Sequence, residues 1–162
     1  MAVSEIVGAA VGVMLLIIVA YVVVSSTLFT AETVATTQKD LTLREEARLR
    51  TAFSITDQFN ETETSSIIYA TITNTGAETI GDFFHMDVIV YDRELMDYRT
   101  CTYDETGGTA GTWNIVSRFD EFIHPYALDA GERYQIRIMS YGNQPKWFQV
   151  TTANGVYASA FL

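Results

Sequence analysis

The feature that most limits the fold of this chain is an uncharged apolar segment near its N-terminus. Residues 6–24 form an unbroken run of 19 residues without an acidic or basic side chain. As an α-helix the run would be about 28 Å long at a rise of about 1.5 Å per residue, close to the hydrocarbon thickness of a bilayer. The sequence therefore predicts a helix that lies in lipid or packs against copies of itself.

Two features distinguish this segment from a secretory signal peptide, which combines a basic start, a shorter apolar core and a cleavage site of small residues. The first five residues read Met-Ala-Val-Ser-Glu, so an acid stands where basic residues would be expected. The apolar run also continues into a helix-compatible stretch of mixed charge that reaches about Ala52. We expect the segment to be retained, with Ser4 as the N-cap of the helix.

The hydrophobic period changes at Phe53, from that of a helix to the alternation typical of β-strands. We assign residues 1–52 to an N-terminal helix that is hydrophobic and then amphipathic, and residues 53–162 to a β domain. The predicted strands are residues 53–56, 67–73, 85–91, 98–103, 112–119, 134–139, 147–152 and 156–161. Asn154-Gly155 predicts a two-residue hairpin loop before the last strand. The predicted fold class is α+β, with a long N-terminal hydrophobic α-helix followed by an immunoglobulin-like antiparallel β-sandwich.

Charge and cysteine content exclude two classes of interaction. The chain has 10 basic and 20 acidic residues, a formal net charge of −10. Nucleic acid is not an expected partner, because binding it relies on clustered Lys and Arg. Cys101 is the one cysteine, which excludes a disulfide within the chain. We predict that Cys101 is a small, semi-buried residue on a strand, and the alternative is a disulfide between subunits.

A search for catalytic or ligand-binding patterns finds none. His85 and His124 lie about forty residues apart, and the common metal-binding and phosphate-binding motifs are missing. We therefore predict no enzymatic activity, no catalytic residue, no cofactor and no metal site. The many loop carboxylates are expected to be solvated, with a weak cation site between loops as the alternative. The sequon Asn60-Glu61-Thr62 makes Asn60 a candidate glycosylation site.

The N-terminal residues form the one constellation that suggests a function. Glu5 directly precedes the apolar run, and Gly8 and Gly12 create a Gly-x-x-x-Gly pattern that lets helices approach closely in apolar surroundings. One interpretation is an ordinary membrane anchor with an acid at its aqueous edge. The other is a carboxylate buried among copies of the helix, paired with the α-amino group of its own or a neighbouring chain. The candidate assembly residues are Met1, Glu5, Gly8 and Gly12.

An acid at position five, ahead of a long hydrophobic helix and a β domain, resembles mature type IV pilin-like proteins. Several segments of the β domain are similar to the archaellum proteins, which comprise the filament-forming archaellins and their pseudoperiplasmic immunoglobulin-like relatives. These segments are Ile72-Thr73-Asn74-Thr75-Gly76, Asp-Phe-Phe-His-Met-Asp-Val-Ile-Val at residues 82–90, Leu128-Asp129-Ala130-Gly131-Glu132, and residues 152–161.

This resemblance implies a structural subunit of an extracellular archaellum or type IV pilus-like filament, assembled through its N-terminal helix for motility or adhesion. The implied partners are further copies in a helical homo-oligomer, the membrane before assembly, a prepilin-type peptidase acting just before Met1, and the archaellum or pilus assembly machinery. The implied location is a cell-surface filament. The alternative is a membrane-anchored, stator-like accessory protein of the archaellum, whose β-sandwich binds the surface layer or the motor.

Overall fold

The computed structural model describes residues 2–62, 65–120 and 123–162. Its first element, α1 (Ala2–Arg50), is a single α-helix of 49 residues. Several threonines of α1 donate their hydroxyl to the backbone carbonyl four residues earlier, as Thr30 does to Ser26 and Thr33 to Phe29. These bonds satisfy the hydroxyl groups without water. The chain divides into two compact units, residues 1–44 and 45–162, so the last turns of α1 belong with the β domain.

In the described part of the chain, eight strands follow α1. They are β1 (Phe53–Asn60), β2 (Ile67–Asn74), β3 (Asp87–Asp92), β4 (Asp97–Tyr103), β5 (Thr112–Phe119), β6 (Arg133–Met139), β7 (Pro145–Thr151) and β8 (Tyr157–Phe161). Burial alternates most regularly along β3 and β6; in β6, Tyr134, Ile136 and Ile138 are buried and the residues between them are not. This alternation, together with α1, confirms the predicted α+β class with a helix followed by a β-sandwich.

The strands lie side by side in the order β1-β2-β6-β5-β4-β3-β7-β8, which folds over on itself as a sandwich. All neighbours pair antiparallel except β4 and β5, which pair parallel over two residue pairs, Thr102 with Thr112 and Tyr103 with Trp113. This short parallel pair joins the two halves of the sandwich. It departs from the purely antiparallel arrangement that the sequence predicts. The contact is limited to the last two residues of β4 and the first two residues of β5.

One aromatic cluster occupies the centre of the core. The side chains of its Trp113 and Tyr134 are fully buried. The ring centroids of Trp113 and Tyr103 are 4.9 Å apart, and Phe83 lies 6.1 Å from Tyr134. Burying side chains of this size contributes about 1.5–3 kcal/mol each, so the cluster is a major source of stability for the β domain.

Two local predictions are wrong. The last hairpin has a three-residue loop, because Thr152 donates its backbone N–H to the Val156 carbonyl at 2.8 Å and leaves residues 153–155 between them. Gly155 adopts φ +83°, the left-handed conformation that ends such loops. His85 was expected to start a strand, but it ends a 3₁₀ turn (Phe83–His85), and β3 begins at Asp87.

Cys101 lies on β4, which confirms its predicted place on a strand, but it is completely buried where a semi-buried side chain was predicted. Burial raises the pKa of its thiol to about 12. A disulfide to another subunit is excluded in the folded chain, because a buried, protonated thiol neither reaches a second thiol nor reacts with one.

Candidate functional site

The N-terminal helix exposes apolar side chains on every side. Each described side chain between Val3 and Glu46 is exposed, and the helix is long and apolar enough to cross a membrane by length and composition. At about 1.5 Å per residue α1 is about 74 Å long, more than twice the hydrocarbon thickness of about 30 Å. Lipid can therefore cover only part of its apolar surface. Exposed apolar residues beyond the first run are Leu28, Phe29, Val34, Leu41, Leu43 and Leu49.

Glu5 lies in the first turn of α1 and is exposed. The partial positive charge at the start of a helix favours a carboxylate there. None of the ion pairs among the described residues includes Glu5. Met1 lies outside the described residues, so the predicted pairing of Glu5 with an α-amino group stays a prediction.

Gly8 and Gly12 leave open space beside α1. A Cβ atom built at either position meets no heavy atom within 4 Å, leaving aside the nearby helix backbone. A larger residue at either position would therefore fit within a single chain. A loss of assembly in such a variant would therefore not be due to a clash within the chain.

A loop of the β domain holds the end of α1. We call residues 75–78 the capping loop, because their backbone N–H groups donate four hydrogen bonds to the chain that leaves the helix. Two of these reach the Arg50 carbonyl at 2.9 and 3.3 Å, and two reach the Ala52 carbonyl at 2.9 and 2.8 Å. Helix ends leave their last carbonyls without partners within the helix, and the capping loop supplies those partners to Arg50.

Side chains add to this junction. The Arg50 Nε lies 3.9 Å from the Glu78 Oε2, and the Asn154 side-chain amide donates to the Thr51 hydroxyl at 2.6 Å. Gly76 has no room for a side chain, since a Cβ there would lie 2.4 Å from both the Ala52 nitrogen and the Arg50 oxygen. The end of the helix is therefore hydrogen-bonded to the β domain, within the unit that spans residues 45–162.

The side chain of Asn74 forms hydrogen bonds with the capping loop. It is fully buried at the end of β2. Its side-chain amide donates to the carbonyls of Glu78 at 2.8 Å and Leu128 at 2.9 Å, and its Oδ1 accepts from the Gly76 N–H at 3.0 Å. One buried amide thus ties the capping loop to the loop before β6.

Asp129 completes the network behind the capping loop. Its carboxylate is nearly buried and accepts hydrogen bonds from the Thr79 hydroxyl at 2.7 Å and from the His124 backbone N–H at 2.9 Å. The ring Nδ1 of His124 lies 3.1 Å from the same carboxylate. The hydrogen bond from Thr79 is the main reason that the pKa of Asp129 is lowered, since it stabilises the charged form more than burial disfavours it.

The other residues singled out in the sequence lie apart from this junction. Asn60 ends β1 and is half-buried, and its Oδ1 has no hydrogen-bond partner among the described residues. His85 is exposed, with Nδ1 2.8 Å from the Asp82 carboxylate. No group of three His, Cys, Asp or Glu residues within the described ranges is arranged to hold a metal ion.

The capping loop was not foreseen from the sequence. Asn74-Thr75-Gly76 was recognised only as a turn after a strand, and its Asn and Gly are indeed turn residues. That the turn bonds to residues 50–52, more than twenty positions earlier, depends on how β1 and β2 pair, which no local pattern encodes.

Comparison with known proteins gives matches at the level of structure. No family model matches the chain, and no curated protein was found to be similar in sequence. The archaellum periplasmic stator protein FlaG from Sulfolobus acidocaldarius is similar with a TM-score of 0.51 and 18% identity, over 69% of this chain and 99% of that chain. A chain of the FlaF and FlaG stator complex from the same organism gives a TM-score of 0.50 and 18% identity, over 68% and 87%. At this identity the likeness shows a shared fold.

Proposed function

We propose that this chain is a membrane-anchored, stator-like accessory protein of the archaellum. In this role α1 anchors the protein in the membrane, and the β-sandwich lies outside the cytoplasm, where it binds the surface layer or a motor component. The observation that supports the proposal most is the fold shared with FlaG, which extends over 99% of that stator chain. The resemblance of several short β-domain segments to archaellum proteins supports a place in the archaellum, and it suits a filament subunit as well as an accessory protein.

The junction suits a protein that must resist force. A stator transmits load between its anchor and its binding surface, so a flexible linker between the two would dissipate that load. The four backbone hydrogen bonds of the capping loop and the 2.6 Å bond from Asn154 to Thr51 instead fasten the end of the helix to the β domain. The proposed role is mechanical and requires neither a catalytic residue nor a cofactor.

Cell fractionation tests the proposal. Filaments are sheared from native cells, and the chain is measured in the sheared filaments and in the membrane fraction by quantitative mass spectrometry. We expect the chain in the membranes, with sheared filaments built of another protein. Photo-crosslinking from position Tyr98 of the β domain should then capture a surface-layer or motor protein. Recovery of this chain as the main protein of the filaments would refute the accessory role.

A filament subunit is the second candidate, and one observation favours it. Apolar side chains remain exposed along α1 well beyond a membrane-spanning length, up to Leu49, which is 79% exposed. Packing of helices in a filament core would cover them.

Replacement of Glu5 by Gln distinguishes this candidate, because it keeps the size of the side chain and removes its charge. If a buried pairing guides docking, filament yield per inserted subunit should fall sharply for Glu5→Gln and stay normal for the control Glu32→Gln on the same helix. Equal yields for both variants would reject the pairing.

A further inference from the structure

The outer face of β4, β3, β7 and β8 carries a row of four aromatic side chains. Strand pairing places Tyr91 directly opposite Tyr98 on one side and Trp147 on the other, and Trp147 opposite Phe161. Residues opposite each other share a face of the sheet. Four strands about 4.8 Å apart make this aromatic row about 14 Å long. The row lies on the outside, because Val90 and Phe148, next to it in their strands, are buried in the core.

The rings of the aromatic row are close together, and the two at its ends are open to solvent, while Tyr91 and Trp147 between them are half-buried. The ring centroids of Tyr91 and Tyr98 are 4.9 Å apart, and those of Tyr98 and Trp147 are 5.9 Å apart. Tyr98 is 63% exposed and Phe161 is 77% exposed. Large aromatic side chains left open on a sheet are more typical of a binding surface than of a surface that faces only water.

A second row runs beside the first. Ile89 lies opposite Thr100 and Gln149, and Gln149 lies opposite Ser159. Three of these four side chains therefore offer uncharged donors and acceptors of hydrogen bonds. We call Thr100, Ile89, Gln149 and Ser159 the polar row.

The two rows carry no formal charge on a domain that is strongly acidic. Residues 53–162 contain 15 acidic and 6 basic side chains, a net charge of −9, and none of these belongs to either row. The outer face of the other half of the sandwich differs, since β6 places Arg133 and Arg137 there. The two rows themselves offer no carboxylate with which a cationic ligand could pair, the nearest acid on this face being Asp87 on β3. The acidic domain repels polyanions and anionic lipid surfaces.

We propose that the aromatic row and the polar row together bind a neutral glycan. Sugar rings have flat C–H faces that pack on aromatic rings, and their hydroxyl groups pair with uncharged Thr, Gln and Ser side chains. A few polar groups beside an apolar surface are the composition expected of a site for an uncharged ligand. A second copy of the chain fits less well, because it would bring two domains of net charge −9 together.

Titration of the full chain with defined oligosaccharides tests this site. The protein is kept in a detergent without a sugar head group, and the probes are maltohexaose, cellohexaose and mannohexaose. Tryptophan emission reports binding, because Trp147 lies in the aromatic row while Trp113 is fully buried. We expect at least one neutral probe to bind, with Kd measured by calorimetry. Tyr98→Ala and Phe161→Ala should each weaken it about tenfold, the loss typical of a central aromatic contact.

Matched variants make the test specific. Phe59→Ala removes a half-exposed aromatic ring from the other outer face, where it stacks on Tyr69 at 5.4 Å, and should leave the affinity unchanged. Trp147→Phe should keep most of the affinity in calorimetry and abolish the change in emission.

Three results would overturn the proposal. The first is that no neutral probe binds, and the second is that a charged hyaluronan hexasaccharide binds as well as they do. The third is that Tyr98→Ala and Phe161→Ala alter the sedimenting mass of the protein without changing sugar affinity, which would identify the face as an interface between copies. Because the assay uses only purified protein and sugars, its outcome is independent of the proposed role in the archaellum.

Discussion

Replacement of Gly76 by Ala probes the junction between α1 and the β domain. The new Cβ would lie 2.4 Å from the Ala52 nitrogen and the Arg50 oxygen and 3.1 Å from the Thr51 carbonyl carbon. All three are backbone atoms, so no side-chain rotation can relieve the overlap. Atoms of this kind prefer about 3.5 Å or more, and the capping loop must therefore move by about 1 Å.

That movement is large enough to break hydrogen bonds. The four bonds from the capping loop measure 2.8–3.3 Å, and a shift of about 1 Å takes several of them beyond hydrogen-bonding distance. Loss of two or three bonds, at about 1 kcal/mol each, destabilises the fold by about 2–3 kcal/mol. The lower entropy of an alanine in the unfolded chain offsets about 0.4–1 kcal/mol of this. We expect a net loss of about 2 kcal/mol, or a fall in Tm of about 10 °C.

Thermal unfolding of the full chain in detergent, followed by emission of the buried Trp113, measures this effect. Gly81→Ala is the matched control, because its Cβ would meet only the Ala127 Cβ at an ordinary 3.6 Å, and its stability should stay within about 0.5 kcal/mol of the parent. Trypsin should also cleave after Arg50 faster in Gly76→Ala. An unchanged Tm and cleavage rate in Gly76→Ala would refute the claim that the capping loop holds the end of α1.

Three further predictions concern the β domain. A fragment covering Glu45–Leu162 should be a soluble, β-rich monomer. It should also be more stable than a fragment of residues 53–162, because the shorter fragment lacks the Arg50 carbonyl that the capping loop binds. Aggregation of the longer fragment in sedimentation, or a mainly helical circular dichroism spectrum, would contradict this. The lowered pKa of Asp129 means that its carboxylate stabilises the fold above the unfolded pKa, about 4, and that this contribution is lost as pH falls through the lower folded pKa. Urea midpoints below pH ~4 should therefore depend less on pH in Asp129→Asn than in the parent, and identical slopes would exclude the role of Asp129. Cys101 should react with a thiol reagent at pH ~8 only after unfolding, because burial raises its pKa to about 12; fast labelling of the native chain would contradict its burial.

The local hydrophobic pattern of the sequence was sufficient to predict the type and the position of most helices and strands. An uncharged apolar run such as residues 6–24 avoids water by lying in lipid or in a bundle. Its backbone polar groups must then bond to one another within the segment, and a helix achieves this. The alternation in residues 67–73 and 134–139 likewise predicted strands that the structure places at β2 (Ile67–Asn74) and β6 (Arg133–Met139). Hydrophobic period is a property of neighbouring residues, so the sequence carries it directly.

Pairing and register were decided only by the tertiary structure. That β2 lies beside β6, and β3 beside β7, follows from which surfaces bury each other best, a choice between segments far apart in the chain. The bonds from the capping loop to Arg50, the burial of Asn74 and the alignment of Tyr98, Tyr91, Trp147 and Phe161 in one row all depend on that choice. Each of these residues has an ordinary local context, and it acquires its role only when strand pairing brings its distant neighbours to it.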